Sequence, residues 1–350
     1  MGVDIIVSAG VLRDYLARIY HAAGAPPATA RVVADSLTAA NLRGVDSHGA
    51  QLMVFYVERI LTGDIDPRAE GRVVSESGCT MVYDGQNGIG QRISEICCEH
   101  AARMARERGA AVVSARESNH FGAAAYWAHK IAAAGQIGIV CCNASTIVPP
   151  WQGREARLGT NPISMAAPGP WLLDMATSTV AMNRIHKAHM EGLRSIPRGW
   201  ALDAGGVETT DTEAAIQGMP MPLGGYKGSG LGMMVEILCS VLSGGATREG
   251  VFGIHVRGRK SRASQVFIAI DVARFLPLAE FTSRLEHLVA YVKSSQPAPG
   301  YSEVLVAGDP EWRMEAERLR DGIPLGRGTW NKLAETARKV GVTPPEIAAG

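Results

Sequence analysis

The sequence predicts an α/β (α+β) protein in which helical segments from both ends flank a central mixed β-sheet. Three observations carry this reading. From Ser8 to about Val45 apolar residues recur at helical spacing. From Val73 to Ile270 short apolar runs with β-branched residues alternate with helical stretches. Gln296-Pro297-Ala298-Pro299-Gly300 then breaks the chain, and helical patterning resumes beyond it. The implied units are residues 1–70, 71–299 and 300–350.

In the first unit Leu12, Tyr15, Leu16 and Ile19 form one helical stripe. Pro26-Pro27 break it, an alanine-rich helix spans Ala28 to Ala40, and Gly44 to Gly49 is a loop. A third helix runs from Gln51 to Leu61 and stops before Gly63. Strands follow at Val73-Val74, Thr80 to Tyr83, Ala110 to Ser114 and Ile137 to Cys142, with helices at Gln91 to Arg108 and Ala123 to Ala134. Further strands are expected at Ile163 to Ala167, Trp171 to Asp174 and Val266 to Ile270. Helices are expected at Ser178 to His189, Gly230 to Leu242 and Phe281 to Val292. The last unit holds helices at Pro310 to Asp321 and Thr329 to Lys339. No internal repeat or low-complexity tract appears.

The chain has 350 residues, 46% hydrophobic and 20% charged, with formal net charge +1. That suits a soluble protein of about two domains with a large core. No block of one charge sign points to nucleic acid or an anionic membrane. Met1 to Gly10 has no cationic segment leading into an apolar run, and no stretch approaches the ~20 apolar residues of a membrane helix, so a cytoplasmic location is expected. The six cysteines include two adjacent pairs, Cys97-Cys98 and Cys141-Cys142, but no CxxC, which favours reduced core thiols over zinc or redox chemistry.

Five stretches stand out: Gly44-Val45-Asp46-Ser47-His48-Gly49, Ser118-Asn119-His120-Phe121-Gly122, Leu158-Gly159-Thr160-Asn161-Pro162, Leu173-Asp174-Met175-Ala176-Thr177-Ser178 and Pro222-Leu223-Gly224-Gly225-Tyr226-Lys227-Gly228. His48 and His120 sit among small and polar residues, not on an apolar helical face. A histidine exchanges protons near neutral pH, so both are candidates for acid–base work. Blander readings stand beside this one. Ser47 and Ser178 suit helix N-caps, His120 suits a loop histidine bonding backbone, and Tyr56 suits a core aromatic. Ser47-His48 makes a poor hydrolase pair, since adjacent side chains rarely face each other and no GxSxG elbow exists. No HExxH or clustered ligand set calls for a metal. Gly85-Gln86-Asn87-Gly88-Ile89-Gly90 and Gly228-Ser229-Gly230-Leu231-Gly232 lack the GxGxxG spacing of a dinucleotide fingerprint.

In this order and spacing the five stretches resemble the malate/L-lactate dehydrogenase family of the non-Rossmann type. That family includes ureidoglycolate dehydrogenase, sulfolactate dehydrogenase and cyclic-imine reductases. The resemblance runs from about Ala28 to about Gly308. It implies a cofactor domain on a central mixed sheet, a helical domain built from both termini, NAD or NADP as cofactor, a small-molecule substrate and a homodimer. It implies that His48 sits at the reacting carbonyl or imine as proton donor, with Ser47 beside it; in ureidoglycolate-type members the His120 position is the donor. Tyr56 would border the substrate, together with position 52, Thr160 and Asn161. The cofactor would lie along Gly122 and Ala123, which open a helix with free amides, and along Asp174, Met175, Ala176, Thr177 and Ser178. Lys227-Gly228 would contact it, with the lysine as a point charge for phosphate, and so would Gly308.

Two departures matter. Many members have arginine four residues after the first histidine, where it holds the substrate carboxylate; this chain has Leu52. The aspartate that completes a relay in the imine reductases aligns with Arg184. The expectation is therefore a dehydrogenase interconverting a 2-hydroxy acid and a 2-oxo acid by hydride transfer with a histidine proton donor. The alternatives are a cyclic imine (ketimine) acid reductase, a pyridoxal-phosphate enzyme with Lys227 as Schiff base, and a binding protein that has lost catalysis.

Overall fold

A computed structural model describes residues 5–346; the outer limits of the expected terminal units, residues 1 and 350, lie outside them. The chain begins with β1 (Ile5–Val7) and α1 (Ala9–Ala22), whose cap Ser8 accepts from Val11 N–H. Pro27 opens α2 (Pro27–Leu42), because its fixed φ and missing N–H suit a first helical turn. Two 3₁₀ turns, Asp46–His48 and Ala50–Leu52, precede α3 (Met53–Leu61). Then come β2 (Arg72–Ser77), β3 (Thr80–Asp84), α4 (Gly90–Arg108), β4 (Ala110–Ser118), α5 (Ala124–Ala133), β5 (Gln136–Cys142), β6 (Ile163–Ala166) and β7 (Leu172–Met175). Next are α6 (Met182–Met190), β8 (Ala201–Leu202), β9 (Glu208–Thr209), α7 (Thr212–Ile216), β10 (Met219–Pro220) and α8 (Tyr226–Glu236). The remainder is β11 (Ala263–Asp271), α9 (Leu278–Lys293), α10 (Asp309–Asp321), β12 (Ile323–Leu325) and α11 (Arg327–Lys339).

The mixed α/β class expected from the sequence is the class observed. Seven strands form one sheet in the order β2-β3-β4-β11-β5-β6-β7, parallel only between β3 and β4. β11 lies at its centre, with Phe267 opposite Val113 on one side and Val140 on the other. Successive residues of β11 face opposite ways, as strand geometry requires. Phe267 joins Cys97, Ala101, Trp127 and Ile131 of α4 and α5, while Val266 packs with Val235 and Cys239 on the other face. Five cysteines are buried as expected; Cys79, in the β2–β3 turn, is exposed.

A separate core gathers both chain ends. Leu12, Leu16 and Ile19 of α1 pack with Val33 and Leu37 of α2, Met53 and Val57 of α3, and Leu333 of α11. β1 pairs antiparallel with β12, Val7 opposite Ile323, which closes that core.

Two local expectations are corrected, and one small sheet is added to them. The helix placed at Gly230 to Leu242 starts at Tyr226 and passes into a π-type turn, Ile237–Val241. The helix placed at Ser178 starts at Met182, with Ala181 as its cap; Ser178 instead donates its hydroxyl to the Val180 carbonyl at 2.9 Å. Three two-residue strands, β10-β8-β9, form a small sheet that was not foreseen.

Gly138 lets α5 lie against β5. A Cβ there would stand 2.6 Å from the Ala128 carbonyl oxygen and 2.8 Å from Ile131 Cβ. Gly138→Ala should therefore destabilise the protein by about 1–3 kcal/mol through overpacking. A urea midpoint equal to that of the wild type would contradict this.

Candidate active site

The loop between α2 and α3 carries Ser47 and His48 because three groups hold it. Asn41, at the end of α2, donates to Asp46 Oδ1 at 2.6 Å and accepts from Ala50 N–H at 2.7 Å. Gly49 packs directly on the Asn41 amide, and a Cβ there would collide with it. Arg318 of α10 reaches the same loop, donating to Asp46 Oδ1 at 2.7 Å, to Oδ2 at 3.0 Å and to the Asn41 carbonyl. Such a paired guanidinium–carboxylate contact fixes orientation as well as distance.

His120 follows β4, where a register shift opposite Ala263/Gln265 ends regular pairing. Asn119 donates to the carbonyls of Asn87 and Gly88, and Gln265 donates to the Asn119 carbonyl at 2.9 Å. A Cβ at Gly90 would collide with the carbonyls of Asn119 and His120. The glycine cluster at Gly85–Gly90 thus supports the histidine loop from beneath.

These two loops bring the histidines together. Their rings stack with centroids 5.7 Å apart. Tyr56, one turn into α3, places its hydroxyl 2.5 Å from His120 Nδ1, and the Gly122 N–H donates to the same nitrogen at 3.3 Å. An amide can only donate, so Nδ1 is an acceptor and the neutral ring carries its proton on Nε2. Ser47 Oγ lies 2.9 Å from His48 Nδ1, so this adjacent pair does meet, against the expectation from neighbouring positions. Burial, and after it the nearness of His48 and His255, pulls His120 down to about 3. Burial also lowers His48, and it holds the Tyr56 phenol well above its ordinary value.

Leu52 is almost wholly buried and belongs to the helical core. Asn161 is buried, and its side chain is committed to protein: it accepts from Ala144 N–H at 3.0 Å and donates to the Gly232 carbonyl and Glu236 Oε1. Thr160 lends its carbonyl to Thr177, from both the N–H at 2.8 Å and the hydroxyl at 3.0 Å. The expected substrate stretch is thereby tied to the expected cofactor stretch. Thr177 is tied onward through its carbonyl to Leu223 N–H, and Leu223 through its carbonyl to Gly228 N–H. Lys227 is exposed in the first turn of α8, not enclosed as a Schiff-base lysine would need to be. Arg184, at the relay position, lies over the Trp200 ring.

A cleft of about 510 Å³ opens against the two loops that carry His48 and His120, neither of which lines it. Its lining includes Arg43, Val45, Ala123, Ala125, Asp174 and Gly308, and Val45 and Ala123 are each three residues from a histidine. A Cβ at Gly308 would press on Trp312 and on the backbone of Leu172, so glycine there keeps the wall thin. Asp174 accepts from Ala125 N–H at 3.2 Å; its side chain is open to the cleft, and the protein packed around it pushes its pKa up. Small side chains, the open N-terminus of α5 and a cleft-facing carboxylate suit the adenosine and sugar groups of a dinucleotide. Met175, Ala176 and Ser178 continue from this cleft towards Thr160 and α8 without lining it. Sequence reasoning missed Arg318, Arg43 and Glu236. Arg318 and Glu236 are charged residues on helices and Arg43 caps the end of α2, places where charge ordinarily marks a solvated face.

The sequence profile of the malate/L-lactate dehydrogenase family matches residues 7–334. The chain is 37% identical to the malate dehydrogenase of Pyrococcus horikoshii, over 95% of this chain and 94% of that one. The structure of sulfolactate dehydrogenase from Methanocaldococcus jannaschii superposes with a TM-score of 0.93 at 32% identity, covering 99% of this chain and 100% of that one. The structure of delta1-piperideine-2-carboxylate reductase from Pseudomonas syringae gives 0.84 at 30% identity, covering 95% and 99%. Among the described residues no helix is long and apolar enough to cross a membrane.

Arg318 sets the His48 loop from outside the pocket. Arg318→Ala should cut turnover about tenfold, the effect of a 1.4 kcal/mol loss, while cofactor affinity holds. Arg318→Lys, which restores the charge without the fork, should recover only part of it. Unchanged turnover in Arg318→Ala would show that Asn41 alone suffices.

Proposed function

The chain belongs to the malate/L-lactate dehydrogenase family of hydroxy-acid oxidoreductases, and we propose that it reduces a 2-oxo acid to a 2-hydroxy acid, and the reverse, with NAD or NADP. The observation that carries this reading is the stacked His48–His120 pair beside a cleft suited to a dinucleotide. A dinucleotide held along that cleft by Ala123, Asp174 and Gly308 would supply the hydride for the carbonyl carbon.

The protein's part is to hold the carbonyl and move one proton. His120, neutral and with Nδ1 filled by Tyr56 and Gly122, presents Nε2–H as a fixed donor to the carbonyl oxygen. Its depressed pKa suits it to polarise the carbonyl and not to give up a proton. His48 is the proton donor, with Ser47 orienting it through Nδ1. An anionic substrate beside it favours the imidazolium. The backbone of Thr160 and the Asp174–Ser178 stretch keep substrate and cofactor sites in register. Arg184 at the relay position and Lys227 on the surface give no support to the imine-reductase or pyridoxal-phosphate alternatives.

We also propose a homodimer. Along α8 and its π-type turn Leu231, Met233, Met234, Ile237, Val241 and Leu242 are exposed. An apolar patch of this size on a helix that also bears Lys227 marks a protein–protein contact close to the cofactor stretch.

Assayed with NADH and NADPH against 2-oxo acids and cyclic imines, the protein should reduce 2-oxo acids. Reductive kcat/KM should fall as pH rises past the His48 pKa, which burial sets below 6.5, because reduction needs the protonated ring. Oxidation should rise over the same range. His48→Gln should lower turnover about 10²- to 10⁴-fold and flatten both profiles, whereas His120→Gln keeps the slope at reduced rate. A pH slope that survives in His48→Gln would transfer the donor role to His120. Activity confined to cyclic imines would refute the 2-oxo acid reading.

Light scattering should return twice the 37.1 kDa of one chain. A monomer mass, together with normal activity, would leave the α8 face without the partner proposed for it.

A further inference from the structure

Leu52 leaves the substrate carboxylate without the expected cation, and the nearby arginines are already engaged. Arg43 pairs with Glu315 at 3.1 Å and lies on the Trp312 ring. Arg318 is taken by Asp46. Arg59, almost fully buried in α3, donates to the carbonyls of Val256 at 2.5 Å and Arg259 at 2.7 Å.

That last contact shows what Arg59 is for. The segment 252–259, which leads into the central strand β11, is fastened over α3. Besides the Arg59 bonds, Gly258 N–H donates to Asp64 Oδ2 at 2.9 Å, Arg257 pairs with Glu58 at 2.7 Å, and Ile254 packs on the helical core. On its other side Gly253 approaches Ser145 so closely that a Cβ would stand 3.1 Å from its hydroxyl. Ser145 follows Ala144, which Asn161 holds. The segment therefore bridges the helix that carries Tyr56 and the loop beside Thr160. His255 sits at its middle, exposed, its ring edge-on to Phe55 at 4.4 Å. Among the described residues no protein hydrogen bond engages its ring nitrogens. Phe55 precedes Tyr56, which bonds His120, so the His255 ring rests on the helix that holds His120; burial lowers the His255 pKa, and a bound carboxylate would raise it again.

We propose that His255, as an imidazolium, binds the carboxylate of the 2-oxo acid and so replaces the arginine absent at position 52. The assignment rests on the reading of this site as a 2-oxo acid reductase. It makes a segment far along the chain, pinned by Arg59, the determinant of substrate charge. Leu52 itself is buried in the helical core and offers the substrate no charge.

The test compares wild type, His255→Asn and His255→Arg, with pyruvate as substrate and oxamate as a carboxylate probe titrated calorimetrically into the NADH- or NADPH-loaded protein. The asparagine variant should raise the pyruvate KM and the oxamate Kd about tenfold or more, with kcat within about threefold. The arginine variant, which keeps a positive charge, should hold KM within about threefold of wild type. The ring is exposed and unbonded, so neither change should move Tm. An asparagine variant with wild-type KM and Kd, or one that loses kcat at constant KM, overturns the assignment. A wild-type protein that reduces no 2-oxo acid fails at the earlier step and removes the reading on which this one stands.

Discussion

The contact on which the site depends is the one between Arg318 and Asp46. It joins α10, near the end of the chain, to the loop that bears Ser47 and His48. Arg318 is nearly buried and Asp46 only half-exposed, so water screens the pair less than an ordinary surface bridge. Asn41 completes the lock by spending its amide on Asp46 and Ala50. With the loop held at Asp46 and Ala50, Ser47 and His48 between them have little freedom left. The β1–β12 pairing acts in the same sense, because it fixes where α10 ends relative to α1.

The second histidine is held by the other core. His120 hangs from β4 and the Asn119 network, whereas His48 and Tyr56 belong to the helical part. The hydrogen bond between Tyr56 and His120 therefore crosses from one core to the other. α2 belongs to both: Val33, Ala34 and Leu37 face the helical core and Val32 faces the sheet core. The spacing of the two rings is thus set by packing around α2, which is stiff because packed interiors leave few alternatives. Burial lowers the pKa of both rings, because the low-polarity surroundings disfavour a charged imidazolium.

Much of this was legible in the sequence. Short apolar, β-branched runs located β3, β4, β5 and β11, and helical spacing located α1 and α4, since each is long enough to bury a face. Ser47, His48 and His120 stood out by residue type and company, Tyr56 only through the family resemblance, and the structure brings the four together. What escaped had no local signal. β8, β9 and β10 have two residues each, too few for any period. α8 starts inside Tyr226-Lys227-Gly228-Ser229-Gly230, where glycine opposes helix formation and only close packing on Thr177 and Leu223 explains it. Asn161 was read as a substrate contact from its motif; its bonds to Ala144, Gly232 and Glu236 depend on residues up to 75 positions away.

Glu236 shows how the same economy reaches the far side of the site. Burial raises its carboxyl pKa, and the Asn161 amide opposes that rise. A half-buried acid with one oxygen bonded and the other unpartnered is costly unless it fixes something. Here it fixes Asn161, a non-glycine residue held at φ +38°. That backbone geometry turns the chain so that the Thr160 carbonyl meets Thr177, and the left-handed conformation persists only because the side chain is bonded on every side. Glu236 is also the residue after which α8 widens into its π-type turn, the kind of irregularity that helices carry where function constrains them. The expected substrate and cofactor stretches are therefore aligned by a half-buried acid that grips the first of them at Asn161, just as the histidine loop is aligned by Arg318 from outside the pocket.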